Sequence, residues 1–360
     1  MTMNPRVRPA DCTRRAFLRT ATAAGVGSLA LPAAASTLAF PFVRTRDRSG
    51  LQPVILGEGR HAYECIHDWA KIPDHVALGN THGVCEDAQG RIYVKHTVHA
   101  SSSSPDAVCV FDPDGRFIES WGAEFRGGAH GLHIAREGRE EFLYLCDFAR
   151  GVVVKTDLRG EEVWRLGVPD ASGLYNSPDE YHPTNVATAP NGDFYVADGY
   201  GKSWIHHYSR DAEYLRSFGG PGNQRGQLSC PHGLIVDTRG PQPELLVADR
   251  SNRRLHRFDL EGRVLGLVTD ELRLPCHFHT RGTDLLIPDL EARVTIFDRE
   301  NRVIVHLGDG GNTALRDRPR DEFIPGRFIA PHSAIFDREG NIFVVEWVEV
   351  GRVTKLRHIA

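Results

Sequence analysis

The chain is poor in the residues that fill helices and has no large excess of charge of either sign. Only 2 of its 360 residues are Met, and beyond residue 35 no stretch repeats its apolar positions at helical spacing. That excludes a helical bundle. The 43 basic residues stand against 47 acidic ones, for a net charge of −4, so no field draws the chain to nucleic acid. No apolar run is long enough to span a bilayer, so stable membrane insertion is not expected. C-x-x-C pairs are missing too. Of seven Cys, the six beyond position 12 stand at 65, 85, 109, 146, 230 and 276. Cys85, Cys109 and Cys146 lie in apolar runs and read as small core residues, while disulfides among the six stay open. What the chain has in quantity is turn formers, with 36 Gly and 21 Pro, alongside 41% hydrophobic residues. That composition fits a turn-rich globular fold and not a disordered chain.

The first 35 residues read as an export leader. Thr-Arg-Arg-Ala-Phe-Leu-Arg at 13–19 is followed by an apolar stretch at 21–31 and by Ala-Ala-Ala at 33–35, the order of a signal peptide with its cleavage site. The pair Arg14 and Arg15 resembles the twin-arginine (Tat) signal, with Arg19 where that motif more often has Lys. The resemblance implies passage through the Tat translocase and a periplasmic or secreted protein. Removal of 1–35 takes away five Arg and one Asp, leaving a charge of −8. Residues 36–60 read as a linker or arm.

From 61 to 360 one unit repeats. A turn followed by an alternating apolar run appears as Glu-Asp-Ala-Gln-Gly-Arg-Ile-Tyr-Val at 86–94. It returns at 189–198, around 237–249 and at 336–345. A second phrase, Phe-Asp-Pro-Asp-Gly-Arg-Phe-Ile-Glu-Ser-Trp-Gly at 111–122, alternates with it. Each pair of phrases makes four short strands of period two. The units open at Thr81-His82, Ala129-His130, Pro183-Thr184, Pro231-His232, Pro275-Cys276 and Pro331-His332. The second positions are spaced 48, 54, 48, 44 and 56 residues apart, which is the length of a propeller blade. The reading is an all-β, six-bladed β-propeller. The last unit ends on its third strand near residue 357, and Tyr63–Trp69 carries the outer-strand pattern that would complete it. A ring closed by an N-terminal strand leaves no ragged edge.

Innermost strands start at one mouth of such a ring. His130, His232 and His332 open alternate blades, about 120° apart in a six-fold ring, so three imidazoles would converge on the axis as in a catalytic Zn²⁺ site with open positions. Another divalent transition metal would suit the same donors. His82 on blade one is a fourth candidate, and His96 and His277 are expected as further mouth residues. Second strands return to the same mouth, bringing Asp147, Asp198, Asp249, Asp289 and Glu346. These acids read as loop-fixing acceptors. Tyr200 and Arg250 follow two of them and read as a base, provided its pKa is lowered, and an anion clamp. The loops 100–106, 168–181 and 309–327 are expected to cover the mouth and decide specificity. A small-molecule or peptide substrate is the expected partner there.

The repeats resemble NHL repeats, and the chain beyond the leader is similar to the peptidyl-α-hydroxyglycine α-amidating lyases. The residues that carry this are Ala-His-Gly-Leu at 129–132, Pro-Thr-Asn-Val at 183–186 and Phe-Tyr-Val-Ala-Asp-Gly-Tyr at 194–200. Pro-His-Gly-Leu at 231–234, Val-Ala-Asp-Arg at 247–250 and Pro331-His332 complete the set. The resemblance implies a propeller lyase that cleaves a carbinolamide C–N bond to a peptide amide and glyoxylate. It implies Zn²⁺ on His130, His232 and His332, Tyr200 as base and Arg250 on the substrate carboxylate or oxyanion. It also implies a Ca²⁺ in the channel on the carbonyls of Val84 and Leu132. Two positions depart from the family, Lys95-His96 where it has Arg and Ser333 where it has a calcium-binding Asp. Two other readings stay open at this point: a non-catalytic NHL propeller binding a peptide or glycan, and a calcium-dependent propeller hydrolase or lactonase.

Overall fold

The computed structural model of the chain describes residues 53–359. The expected leader, with Arg14 and Arg15, lies outside them. Six antiparallel sheets stand around an axis, and their inner strands are Thr81–Glu86, Ala129–Glu137, Asn185–Thr188, Pro231–Asp237, His279–Arg281 and Pro331–Phe336. Successive inner strands pack side by side except the fourth and the short fifth, and the last packs against the first. The architecture is a six-bladed β-propeller. Among the described residues the only helical pieces are single 3₁₀ turns of three residues.

The turn phrase has a local physical cause. Asp87 Oδ1 accepts from the backbone N–H of Gln89 and of Arg91, each at 2.9 Å, while Gly90 takes a φ of 82°. The same side-chain turn recurs at Asp112, Asp157, Asp259, Asp298 and Asp337. It mimics a backbone turn, and a left-handed residue costs Gly no steric penalty. Alternating apolar residues then face the neighbouring blades. The core is therefore a ring of interblade cores instead of one central one. Val84, Val94 and Phe111 of blade one pack on Ile335, Phe343 and Val345 of blade six, for example. Trp69 wedges into that seam with ring centroids 5.8 Å from Phe111 and 4.7 Å from Phe343.

The two ends of the described residues meet in blade six. Tyr63–Ile66 pairs antiparallel with Arg352–His358 in the register Tyr63↔His358 to Ile66↔Lys355, outside Ile342–Glu346 and Pro331–Phe336, and Ile55–Leu56 adds a fifth strand. No disulfide joins any of the six described cysteines, and Cys65 alone among them is not buried.

One device sets the heights of the inner strands. The acid ending each of several second strands is buried and accepts backbone N–H groups from the segment entering its own blade. Asp198 Oδ1 takes His182 N at 2.7 Å, Asp249 Oδ1 takes Ser229 N at 2.6 Å, Asp289 takes Arg273 N and Leu274 N at 2.6 Å, and Glu346 takes Ile329 N at 2.7 Å. A carboxylate bound to fixed backbone donors is a strong anchor. Each one pins the chain two or three residues before the position that faces the axis.

Candidate metal centre at the mouth

Three imidazoles from alternate blades form a near-equilateral triangle at the start of the inner strands. Ring centroids are 4.7 Å apart for His130 and His232, 4.6 Å for His232 and His332 and 4.8 Å for His130 and His332. Their Nδ1 atoms face backbone carbonyls of the following blade: His130 to Thr184 O at 2.6 Å, His232 to Cys276 O at 2.9 Å and His332 to His82 O at 2.8 Å. A carbonyl only accepts, so each Nδ1 carries the proton and each Nε2 keeps its lone pair. This is the arrangement by which outer hydrogen bonds orient metal-ligating histidines.

Glycine makes two of those bonds available. A Cβ on Gly131 would lie closer than 3.0 Å to the Thr184 carbonyl oxygen and 2.9 Å from Asn185 Cα, and one on Gly233 would lie 2.8 Å from His277 Cα. The inner strands approach this closely only because the residue after each of these two histidines has no side chain.

The fourth candidate, His82, is also there. Its ring is 4.5 Å from His332 and 5.0 Å from His130, and nitrogens of His82, His130 and His332 all lie within 4.8 Å of one another. That group could hold a metal ion. All four histidines are buried. Burial, helped by neighbouring cationic groups, holds the pKa of His130 and His232 well below the ordinary 6.5, and burial brings that of His332 down to about 3. They are neutral at neutral pH, as ligation requires.

Tyr200 closes one edge of the triangle. Its Oη lies 3.2 Å from His130 Nε2, 3.1 Å from His232 Nε2 and 3.3 Å from the Arg250 Nη1 that donates to it. One phenol proton cannot satisfy two lone pairs, so the donor set is electron-rich and suits a cation. Burial raises the phenol above its ordinary 10.0, and Arg250 works in the opposite direction. The pKa expected to be low for a base is therefore not lowered by the protein groups themselves. Arg250 is buried and its Nη2 donates to Cys230 Sγ at 3.1 Å.

Other expected residues stand elsewhere. His96 does not reach the mouth: its Nδ1 accepts from Val98 N at 3.1 Å and its Nε2 lies 3.4 Å from Cys109 Sγ, inside blade one. The reason is strand alternation, since one residue of shift turns a side chain to the other face. Lys95 is buried between blades one and two, donating to Cys146 O at 2.7 Å and Gly131 O at 3.3 Å, and burial lowers its pKa to about 8. His277 lines a cavity of about 490 Å³ farther along the inner strands, with Val84, Leu132 and His279. That chamber opens at the opposite end of the channel, because its wall includes Asp337 and Arg338 in the turn after an inner strand.

The calcium expectation does not fit these residues. Around Val84 and Leu132 the carboxylates are committed, Glu86 to Arg338 and Asp337 to its own turn. Ser333 supplies no charge, and its Oγ is buried without a hydrogen-bond partner. Calcium normally takes several oxygen ligands with carboxylates among them.

Two features escaped the sequence reading. Phe148, following Asp147, sets its ring 6.1 Å from His130 and 5.6 Å from Tyr200 and walls the mouth. The residue after a strand-ending Asp was the available signal. The carbonyls of Thr184 and Cys276 carry no such signal, because every residue has one.

No protein-family model matches the chain. It is similar in sequence to named amidating lyases. Identity is 33% over 214 residues with peptidyl-alpha-hydroxyglycine alpha-amidating lyase 1 of Drosophila melanogaster, covering 51% of this chain and 38% of that protein. It is 33% over 163 residues with peptidyl-glycine alpha-amidating monooxygenase A of Xenopus laevis, covering 43% and 17%. A probable lyase of the same name from Caenorhabditis elegans is 28% identical over 158 residues, covering 42% of each. The chain thus spans well under half the length of these relatives. Among solved structures, a streptogramin B lyase superposes with a TM-score of 0.56 at 12% identity, covering 84% of this chain and 99% of that one. The virginiamycin B lyase of Staphylococcus aureus gives 0.53 at 13% identity, covering 82% and 100%. These two speak for the fold.

Proposed function

We propose that the chain is a metal-dependent lyase that cleaves the C–N bond of a peptidyl-α-hydroxyglycine or a related carbinolamide at this mouth. The observation that carries the reading is the triangle of His130, His232 and His332, each with Nδ1 committed and Nε2 inward, with the Tyr200 hydroxyl across one edge. A divalent cation held there, zinc or another transition metal, would supply Lewis acidity at neutral pH. Similarity to the amidating lyases supports the substrate class.

The protein's own groups divide the remaining work. Arg250 holds the anionic end of the substrate, for which a guanidinium offers two parallel donors. Tyr200 Oη accepts the proton of the substrate hydroxyl. The O–H electron pair becomes the second bond of the new carbonyl, the C–N bond breaks, and the nitrogen takes up a proton to leave as the amide. Tyr200 is a competent base only when positive charge offsets its burial, and Arg250 already acts in that sense. Phe148 confines the substrate against the imidazoles. With 1–35 as a twin-arginine leader, we place this activity in the periplasm or outside the cell, which fractionation of cells expressing the tagged protein checks.

The test is elemental analysis of the purified protein and of His232→Ala, together with glyoxylate release from an N-acyl-α-hydroxyglycine. About one equivalent of transition metal, lost with activity in the variant, is expected. Folded protein without metal would sink the lyase reading and favour a binding propeller.

A further inference from the structure

His82 stands apart from the other three histidines in one respect. His130, His232 and His332 each spend Nδ1 on a carbonyl of the next blade, whereas the Nδ1 of His82 is turned inward, 3.3 Å from His332 Nε2. His332 has its proton on Nδ1, directed at the His82 carbonyl, so its Nε2 presents a lone pair to His82. Two nitrogens at that separation are held together by something positive between them, a proton or a cation. A cation seated among the triad takes the His332 lone pair and leaves His82 Nδ1 aimed at the same ion. Nitrogens of His82, His130 and His332 lie within 4.8 Å of one another, and His232 stands outside that closest group, so it is the ligand that must draw in to complete four.

The positions around the triangle agree. Tyr200 spans the His130–His232 edge, and His82, from blade one, lies against the His130–His332 edge between blades two and six. A fourth ligand entering there leaves the Tyr200 side open to substrate. We propose that His82 is a fourth imidazole ligand of the metal centre, bound through Nδ1, so that this propeller holds its ion with four nitrogens where the resembling lyases use three.

The inference rests on the metal reading above but fails separately from it. The wild-type protein is loaded with Zn²⁺ and with Co²⁺. X-ray absorption counts the imidazoles, the visible spectrum of the cobalt form reports coordination number, and chelator competition gives affinity. Four imidazoles are expected in the wild type and three in His82→Ala. Affinity should fall by at least the 10–100-fold, on the order of magnitude, that loss of a mere supporting group costs a metal site. His82→Gln distinguishes loss of the nitrogen ligand from loss of volume and should behave like the Ala variant. A count of three in the wild type overturns the proposal whatever the variants do. If His232→Ala loses the ion while His82→Ala keeps it with unchanged spectrum and affinity, the proposal falls and the three-histidine site stands. If the wild type binds neither metal, both fall.

Discussion

Gly131 is the position where the packing argument can be pressed hardest. Its φ is not in the left-handed region, so substitution by Ala adds no backbone strain, and the cost is purely steric. The new methyl would meet the Thr184 carbonyl oxygen at less than 3.0 Å and Asn185 Cα at 2.9 Å, both backbone atoms of the neighbouring blade. Neither can swing aside as the tip of a side chain can. Overfilling a packed core in this way costs about 1–3 kcal/mol. Separating the two inner strands also stretches the 2.6 Å bond from His130 Nδ1 to Thr184 O, and a buried donor left unsatisfied costs about 1–3 kcal/mol more. The sum, about 2–6 kcal/mol, is a large part of the stability of an ordinary domain, about 5–15 kcal/mol. Urea unfolding of metal-free Gly131→Ala against wild type measures it. Gly167→Ala is the control, since a Cβ there meets nothing within 4 Å, and it should stay within about 0.5 kcal/mol of wild type. Because His130 is reoriented, metal affinity should fall in the same variant. If Gly131→Ala matched the control in both stability and affinity, the close approach of the blades would not be what holds the imidazole.

Further outcomes follow from the same geometry. Tyr200→Phe should keep the bound metal and the fold but lose most glyoxylate release, a loss of about 10²–10⁴-fold if the phenol is the base; full activity would remove it from the chemistry. Ser333→Asp should destabilise the protein in EDTA by about 3–5 kcal/mol, the usual cost of a buried unpaired charge, with added calcium raising the melting temperature. An equally stable variant in EDTA would mean that the channel already neutralises a carboxylate there. Acid should unfold the protein early. Burial lowers His96 to about 4 and His206 to about 3, so the unfolded state binds more protons between those values and 6.5. Stability is then flat above pH 6.5 and drops as pH falls below it, by up to about 1.4 kcal/mol per unit for each such group. A urea midpoint unchanged from pH 7 to 4.5 would contradict the burial of these rings.

What could be read in advance was whatever depends on the repeat. Blade count and the convergence of His130, His232 and His332 follow from equal positions in equal units, because a ring converts sequence phase into angle about one axis. Even the fifth unit obeys it. Its regular strand starts only at His279, with Pro275 making an isolated bridge to Asp289, yet Cys276 still presents its carbonyl to His232. The misplacements arise where a one-residue offset decides which way a side chain faces. His96 and Lys95 are adjacent at the end of a strand, but the first turns toward Cys109 and the second toward the carbonyls of blade two. His277 follows Cys276 by one residue and faces the far chamber. The carbonyls that fix three tautomers are the least legible of all, since acceptors on the backbone have no letter in the sequence. Yet they are what makes three Nε2 lone pairs point inward together, and two of them are available only because Gly131 and Gly233 let the strands close. At His130 and His232 the histidine and the glycine after it therefore act as a pair. The histidine supplies the nitrogen, and the glycine lets the next blade come near enough to aim it. Blade six keeps the histidine but carries Ser333 in place of the glycine, and it is there that His82 comes within 3.3 Å of the ligand nitrogen of His332.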